Sequence, residues 1–310
     1  MKRGLTIIAC VAVIMASPFV GEPLSGETGA FIFWQLRLPR MLMGLIAGGA
    51  LSLVGGTYQT VFANPLASES TVGTLAGATL GAVIAVVFGA GGGQEFLPAI
   101  TLSAFVGALS VTLLLTAIAS SGRASMNSVL LAGIAISLMA SALSTGLQYT
   151  ADLNSMFTAA RWSLGNLQQM GYFSLALILP FVLPSCGLLL WQTRALETLA
   201  GGEERAHSQG VDVSRLRALS LGCGALAVAA IVAWCGPIAF VGLIVPQLVK
   251  MLMGASRRVM LPWSPLIGGA FLVACDTLAR VAWPRGELPV GVVTAALGAP
   301  ALVWLVARKR

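Results

Sequence analysis

The sequence predicts an all-α, polytopic membrane protein, because of its composition and the pattern of its apolar runs. Hydrophobic residues make up 57% of the chain and charged residues only 9%. A soluble domain cannot bury so large a share of apolar side chains, so most of the surface must face lipid. The runs do not alternate between apolar and polar residues, as the strands of a membrane barrel would.

Ten apolar runs match the length of a membrane helix, which needs about 20 residues. The first runs from Leu5 to Val20, and the segment Met15-Ala16-Ser17 is a poor cleavage site, so we interpret the run as a helix and not as a signal peptide. The other predicted spans are 38–60, 70–89, 97–119, 126–149, 172–193, 216–236, 238–253, 263–283 and 288–306. We therefore expect about ten transmembrane helices in a single domain that covers residues 1–310.

The basic residues predict which side of the membrane each connection faces. An even number of spans puts both termini on one side, and a cytoplasmic N-terminus places 13 of the 18 Lys and Arg residues inside. This bias follows the positive-inside rule, so both termini are predicted to be cytoplasmic. The connection from Cys235 to Ile238 is then expected to be an outer turn, with a break inside one membrane-embedded unit as the alternative. The basic residues left outside are Arg37, Arg40, Arg161, Arg280 and Arg285.

Two other classes of membrane protein fit the sequence less well. An ion-coupled secondary transporter is expected to carry carboxylates within its spans, and Asp276 is the one such candidate. Its spacing from Arg280 instead predicts an i,i+4 ion pair. An intramembrane enzyme with a histidine-dependent dyad is not favoured, because the only histidine, His207, lies in a polar loop.

The charges and the cysteines indicate which ligands the chain does not bind. The net charge of +7 comes without a basic patch rich in aromatic residues, so it does not indicate a nucleic-acid partner. The five cysteines stand singly in apolar runs, and together with one histidine they cannot assemble a site for a bare transition metal.

The longest polar stretch on the predicted cytoplasmic side covers residues 194–217. Its middle, from Gly202 to Val211, has the pattern of a short charged helix that ends at Gly210. The spacing leaves two interpretations open. The stretch is either a solvated loop that joins two spans or a knob that contacts a cytoplasmic partner.

Five motifs in a fixed order connect the chain to a known family. On these motifs it resembles the FecCD-type permeases, the membrane subunits of bacterial ABC importers for ferric siderophores, haem and cobalamin. The motifs are Arg37-Leu-Pro-Arg40, Asn64-Pro65-Leu66-Ala67, Gly202-Glu203…Ala206…Gly210-Val211, the run from Gly236 to Pro246, and the run from Glu287 to Pro300.

The resemblance implies a type II ABC importer permease fold in the bacterial inner membrane. It also implies a pair formed with a second copy or a close homologue, two cytoplasmic ABC ATPase subunits and a periplasmic substrate-binding protein. None of the three lysines lies in a Gly-x-x-x-x-Gly-Lys loop, so we expect this chain to bind no cofactor. ATP and Mg²⁺ would then be used by the partner ATPase. A ferric siderophore is the expected cargo, with haem and cobalamin as alternatives.

The resemblance also assigns roles to residues near the two membrane surfaces. Arg37, Arg40 and Arg280 would lie at the outer mouth and pair with acidic residues of the binding protein. Snorkelling of these arginines to lipid headgroups is the alternative. Asn64 and Leu66 correspond to the family's cytoplasmic gate.

Two further sets of residues complete the expected sites. Ser141 and Thr145 are candidate pore-lining residues, although hydroxyls of this kind also bond to their own helix. Within a coupling segment of about 195–215, Gln209 stands where the family usually has leucine. The residues implied to contact the ATPase are Gly202, Glu203, Ala206, Gly210 and Val211.

Overall fold

The computed structural model describes residues 2–21, 26–89, 96–120, 125–168, 171–282 and 286–307. All regular structure within them is helical, with a 3-10 turn at Ser17–Phe19 and a π-helical turn at Ile32–Arg37. The predicted all-helical class is confirmed. The α-helices are α1 (Lys2–Ala16), α2 (Gly26–Phe31), α3 (Leu38–Val61), α4 (Thr74–Phe88), α5 (Phe96–Ser120), α6 (Met126–Thr150), α7 (Leu153–Trp162), α8 (Phe173–Trp191), α9 (Thr193–Ala200), α10 (Glu203–Ser208), α11 (Val213–Cys235), α12 (Val241–Met253), α13 (Arg257–Val281) and α14 (Val290–Ala307).

Apolar helices occupy the positions of the predicted spans, and they fall into two length classes. The number that cross the membrane stays a prediction. Six stretches are long and apolar enough to cross it, namely Thr28–Val61, Pro98–Ala119, Met126–Thr150, Phe173–Trp191, Val213–Cys235 and Arg257–Val281. Four are apolar but shorter, namely Arg3–Phe19, Thr74–Phe88, Val241–Met253 and Val290–Trp304.

Several helix boundaries differ from the predicted spans by three to six residues, and two of the starts have a visible cause. α4 begins at Thr74 instead of residue 70, because residues 62–73 form a series of turns. α13 begins at Arg257, before the predicted start at 263, and Glu197 of α9 accepts the amide of Arg257. A polar group on a neighbouring helix thus satisfies an amide that would otherwise lack a partner, and the helix can begin there.

α3 is the central helix and packs against α8, α11, α12 and α13. Gly48 of α3 lies against the backbone of Gly268 on α13, and Gly55 lies against Gly242 on α12. At each of these positions an added Cβ atom would collide with a neighbouring carbonyl group. The small residues therefore permit the close backbone packing by which helices associate in lipid.

Polar contacts mark two opposite ends of the bundle. Arg40 at the start of α3 bonds Asp276 near the end of α13, so these two helices are antiparallel. We name this the outer end, and we name the end where Glu197 meets Arg257 the inner end. The names follow the predicted orientation, which stays a prediction.

The two ends of the described chain lie on the same side of the bundle. Arg3 on α1 donates to the carbonyl of Met253 at 3.3 Å, beside the inner end. α14 starts just after Glu287 at the outer end and runs inward, where Gly298 packs against Phe240. Arg285, predicted to lie outside, and the basic residues 308–310 fall outside the described residues.

The connection between α11 and α12 is not the simple outer turn that we predict from the sequence. Residues 236–240 form a non-helical segment that packs beside residues 162–165, where Gly165 meets the carbonyl of Pro237. α12 then begins next to Gly55, in the inner half of α3. α12 is therefore a half-length helix that starts inside the bundle, and the loop that follows it still reaches the inner end.

Candidate functional site

Arg40 is the centre of a buried group of charges at the outer end. Its Nε donates to the two carboxylate oxygens of Asp276 at 2.9 and 2.8 Å. Its Nη2 lies 2.8 Å from Asp276 Oδ1, and its Nη1 donates to Glu287 Oε2 at 2.6 Å. Only 8% of Arg40 is exposed. The planar guanidinium thus binds one carboxylate through two nitrogens and a second carboxylate through the third.

Arg280 and Gln168 add to this group. Arg280 Nε lies 3.7 Å from Asp276 Oδ2, which confirms the predicted i,i+4 pair. Arg280 Nη2 donates to the carbonyl of Ser17 at 2.8 Å, and Gln168 Nε2 donates to Glu287 Oε2 at 2.8 Å. We use the name outer ion cluster for Arg40, Asp276, Arg280 and Glu287.

The outer ion cluster combines two positive and two negative side chains. Burial raises the pKa of Glu287, but hydrogen bonds from Arg40 and Gln168 outweigh this effect and hold the pKa below its ordinary value. Glu287 is therefore charged at neutral pH. Removing one member of such a buried set leaves a charge without its partner. The resulting loss of folding free energy is larger than the net contribution of the intact set.

Arg37, the third arginine predicted to dock the binding protein, is less enclosed than Arg40. It is half-buried at the end of the π-helical turn, and its Nη1 donates to the carbonyl of Pro18 at 3.1 Å. The structure brings Arg37, Arg40 and Arg280 to one end, and each donates hydrogen bonds to the chain itself. Their docking role stays a prediction, and Arg37 is better placed for it than Arg40.

The predicted gate residues lie in residues 62–73, which we name the gate segment. Asn64 Oδ1 accepts the amide of Leu66 at 2.9 Å, a bond that closes a local turn. Gln247 of α12 donates to the carbonyl of Pro65 at 3.1 Å. Leu66 is 45% exposed. α12 therefore anchors the turn, while the leucine side chain projects from it.

Glu69 of the gate segment is a buried carboxylate that the sequence analysis missed. It is fully enclosed, and neither carboxylate oxygen has a hydrogen-bond partner among the described residues. Its side chain lies against Gly242, the second residue of α12. Asp276 is thus not the only enclosed carboxylate. The available signal was an acidic residue one position before a predicted span.

The burial of Glu69 changes its protonation. Glu69 lies between α3 and α4, outside the candidate spans. Burial raises its pKa to about 7, although the backbone amides of Glu69 and Gly242 face the carboxylate and offset part of the rise. Near neutral pH the side chain therefore exchanges between its neutral and charged forms.

Ser141 and Thr145 lie on an exposed face of α6. Both residues are exposed, and Thr145 Oγ1 donates to the carbonyl of Ser141 at 3.0 Å. This is the bond to the helix backbone that the sequence analysis left open as an alternative. The bond does not exclude a pore-lining position, so that role stays a prediction.

The coupling segment forms two short helices, α9 and α10. The predicted short helix that ends at Gly210 is confirmed as α10, and Gly210 has a φ of 76°. Such a left-handed residue after a helix is usually glycine, because a Cβ atom is unfavourable there. Gly202, with a φ of 111°, precedes the helix. α9 was not predicted.

α10 is held to the bundle by one buried side chain and one ion pair. Ala206 is fully buried, and its carbonyl accepts the amide of Val211 at 2.9 Å. Glu203 pairs with Arg217 of α11, and this hydrogen bond lowers the pKa of Glu203. The opposite side of α10 is exposed. Ala206 therefore positions the helix, and the exposed side is available for a partner.

The chain matches a family of membrane transport proteins over nearly its whole length. The FecCD transport family matches residues 5–308 of this chain. The chain belongs to the FecCD transport family. The cobalamin import system permease protein BtuC of Halobacterium salinarum is 37% identical over 285 residues, which cover 90% of this chain and 74% of that protein.

Two further matches extend this result. The hemin transport system permease protein HmuU of Yersinia pestis is 36% identical over 286 residues, which cover 90% of this chain and 84% of that protein. A solved structure of an inward-facing metal-chelate type ABC transporter superposes with a TM-score of 0.88 at 29% identity, over 99% of this chain and 98% of that one. This member of the FecCD family is a multi-pass membrane permease of the metal-chelate type of ABC transporter, a transport subunit and not an enzyme.

Proposed function

We propose that this FecCD permease imports a metal chelate of the cobalamin or haem kind, using ATP hydrolysed by a partner. The observation that supports this cargo is the near-equal similarity, 37% and 36%, to permeases named for cobalamin and hemin. The difference is too small to favour either cargo. A ferric siderophore is the second candidate, because the metal-chelate description of the similar structure is wider than these two cargoes.

The proposed assembly pairs this chain with a second copy or a close homologue, so that the path lies between them. The exposed face of α6 supports this arrangement. It exposes Leu131, Leu138 and Met139 to 66%, 69% and 58%, beside the polar Ser141 and Thr145. In the paired state the two hydroxyl residues would line the path and the apolar side chains would contact the second copy.

The gate segment is proposed to close the inner end of this path. Leu66 projects from a turn that Gln247 ties to α12. Lys250, one turn further along α12, donates to Gln59 Oε1 at 3.1 Å, at the base of the same turn. A displacement of α12 would therefore move the leucine, which gives the gate a mechanical link to the bundle.

The coupling segment is proposed to transmit ATP-driven movement into the bundle. α10 offers an exposed side to two cytoplasmic ATPase subunits, and Ala206 and the Glu203–Arg217 pair fix it to α11. A second partner, a periplasmic binding protein, would deliver the chelate at the outer end near Arg37.

The cargo is tested by transport in proteoliposomes that contain this chain, its ATPase and its binding protein. Uptake of radiolabelled cobalamin, haem and a ferric siderophore is measured without ATP, with ATP inside the vesicles and with ATP outside them. We expect ATP-dependent uptake of cobalamin or haem that stops when the nucleotide-binding lysine of the ATPase is replaced. Uptake of the siderophore alone would replace our first candidate with the second. Uptake driven by an ion gradient without ATP would contradict the ABC mechanism.

The proposed orientation, with both termini cytoplasmic, is tested by thiol labelling in intact cells. Single cysteines replace His207, Arg257 and Arg285 in a background without the five native cysteines. An impermeant reagent is expected to label position 285 only. Labelling at 257 from outside would contradict the proposed orientation.

A further inference from the structure

A basic cleft opens at the inner end, where α8, α9 and α13 meet. Its volume is about 340 Å³. It lies at the C-terminal end of α8, the first turn of α9 and the first two turns of α13. It includes the first turn of α9 in the coupling segment, but none of its lining residues has been given a role above. The cleft is lined by Leu190, Trp191, Thr193, Arg194, Arg258 and Pro262.

Two arginines in this cleft lack a partner among the residues that the structure describes. Arg194 and Arg258 are both exposed, and within the described part of the chain neither guanidinium makes a hydrogen bond or an ion pair. The acidic residue on α9, Glu197, is engaged elsewhere. Its carboxylate accepts from Ser256 Oγ at 3.0 Å and from the amide of Arg257. The cleft therefore presents two cations without a compensating anion.

The walls of the cleft indicate its depth in the membrane. Trp191 ends the apolar helix α8 and is 78% exposed, and the chain turns polar immediately afterwards. Exposed tryptophans of this kind lie where the hydrocarbon gives way to the headgroups. Leu190 and Pro262 supply apolar walls beside the two guanidiniums. The cleft thus combines an apolar side with a cationic side at headgroup level.

We propose that this cleft binds the phosphate headgroup of an anionic phospholipid from the inner leaflet. Guanidinium groups bind phosphate oxygens through paired hydrogen bonds, and basic pockets between membrane helices are suited to acidic headgroups. The acyl chains would lie along Trp191 and Pro262. Because Arg194 belongs to α9 and Arg258 to α13, one headgroup would bridge the coupling segment and the bundle.

The proposal is tested with the purified chain in detergent, by native mass spectrometry and thermal unfolding. Phosphatidylglycerol, phosphatidylcholine and inorganic phosphate are titrated separately. We expect phosphatidylglycerol to bind about tenfold more tightly than phosphatidylcholine, as two cations near a headgroup would produce. The double variant Arg194→Gln/Arg258→Gln should lose this preference, and Arg194→Lys/Arg258→Lys should keep part of it.

A matched control removes two other exposed inner arginines through Arg205→Gln/Arg215→Gln. This variant should keep the tenfold preference, since neither residue lines the cleft. An equal loss of the lipid preference in the control variant would show a general effect of surface charge and overturn the proposal. Equal binding of the two lipids to the native chain would also overturn it, and so would competition by millimolar inorganic phosphate, which would indicate a site for a small anion. If the double variant does not fold, the single variants Arg194→Gln and Arg258→Gln decide by the same readout.

Discussion

The outer ion cluster and the gate segment each enclose a carboxylate, but only the first of these carboxylates lies beside cations. Asp276 at the outer end is surrounded by two arginines, with contacts to Arg40 of 2.8–2.9 Å. Glu69 in the gate segment has no hydrogen-bond partner for either oxygen among the described residues. Two arginines lie against the first carboxylate, whereas the second has no cation beside it in the described part of the chain and burial raises its pKa to about 7.

The comparison teaches that burial alone does not assign a role to a charged residue. The outer ion cluster joins α3, α13 and the segment before α14 into one fixed unit. Glu69 sits where the gate segment meets the first turn of α12, so its charge state affects a junction that is proposed to move. The paired charges of the outer ion cluster hold its helices together, and Glu69 makes the gate segment sensitive to pH.

The largest expected effect comes from removing the central cation of the outer ion cluster. Arg40→Met should lower the free energy of unfolding by about 3–5 kcal/mol, because it leaves two carboxylates without their main partner. Thermal or denaturant unfolding in detergent measures the change. Arg161→Met, at an exposed arginine of α7, should have almost no effect. The double variant Arg40→Met/Asp276→Asn should recover part of the lost free energy of unfolding. A loss equal to the sum of the two single variants would contradict the pairing.

The second prediction concerns the unpaired acid. The pKa of Glu69 rises from 4.5 to about 7 in the folded chain, so the protonated form favours folding. Its contribution is fully present below pH 4.5 and is lost as the pH rises through 7, a change of about 3 kcal/mol at ~1.4 kcal/mol per pKa unit.

Glu69→Gln tests this relation, because the amide stays neutral at every pH. The variant should be more stable than the native chain at pH 8.5 and equally stable at pH 4.5, as measured by unfolding in detergent. Glu204→Gln, at an exposed residue of α10, should not change the pH dependence. A variant that is less stable than the native chain at pH 8.5 would show that the charged form has partners that stabilise it.

The third prediction extends the comparison to the packing of the coupling segment. Ala206→Trp combined with Glu203→Lys should displace α10, since Ala206 is fully buried and Glu203 pairs with Arg217. Overpacking of this kind costs about 1–3 kcal/mol, which a six-residue helix cannot absorb without moving. The variant should insert normally but fail to co-purify with its ATPase. Ala255→Trp, at an exposed position outside the coupling segment, should retain the ATPase. Normal transport by the double variant would favour the solvated-loop interpretation.

The smallest effect is expected at the rim of the outer end. Arg37→Glu should weaken association of the binding protein about fivefold, as an exposed ion pair contributes ~1 kcal/mol. It should leave thermal stability nearly unchanged, in contrast to changes at Arg40. Surface plasmon resonance on nanodiscs measures the affinity, with Arg215→Glu at the inner end as the control. Unchanged affinity in Arg37→Glu would remove this arginine from the docking site.

The sequence was informative wherever a property depends on neighbours along the chain. Apolar runs located the helices, and the glycines around residues 202–211 located α10. The i,i+4 spacing of Asp276 and Arg280 predicted their pair. Boundaries were less accurate, because α13 begins with the help of Glu197, a residue of another helix. Gly236-Pro237 indicated an interruption but not its place, since packing of residues 236–240 against residues 162–165 depends on the fold.

Composition and motif order were therefore enough to establish the helical membrane class and the permease family. Lipid solvation acts on each run of side chains separately, so it can be read along the chain. The pairing of Arg40 with Asp276 joins residues 236 positions apart, and the burial of Glu69 depends on α12. Only the tertiary structure decided which charges are matched and which are left alone, because electrostatic energy depends on distance through space and on the surroundings that packing creates.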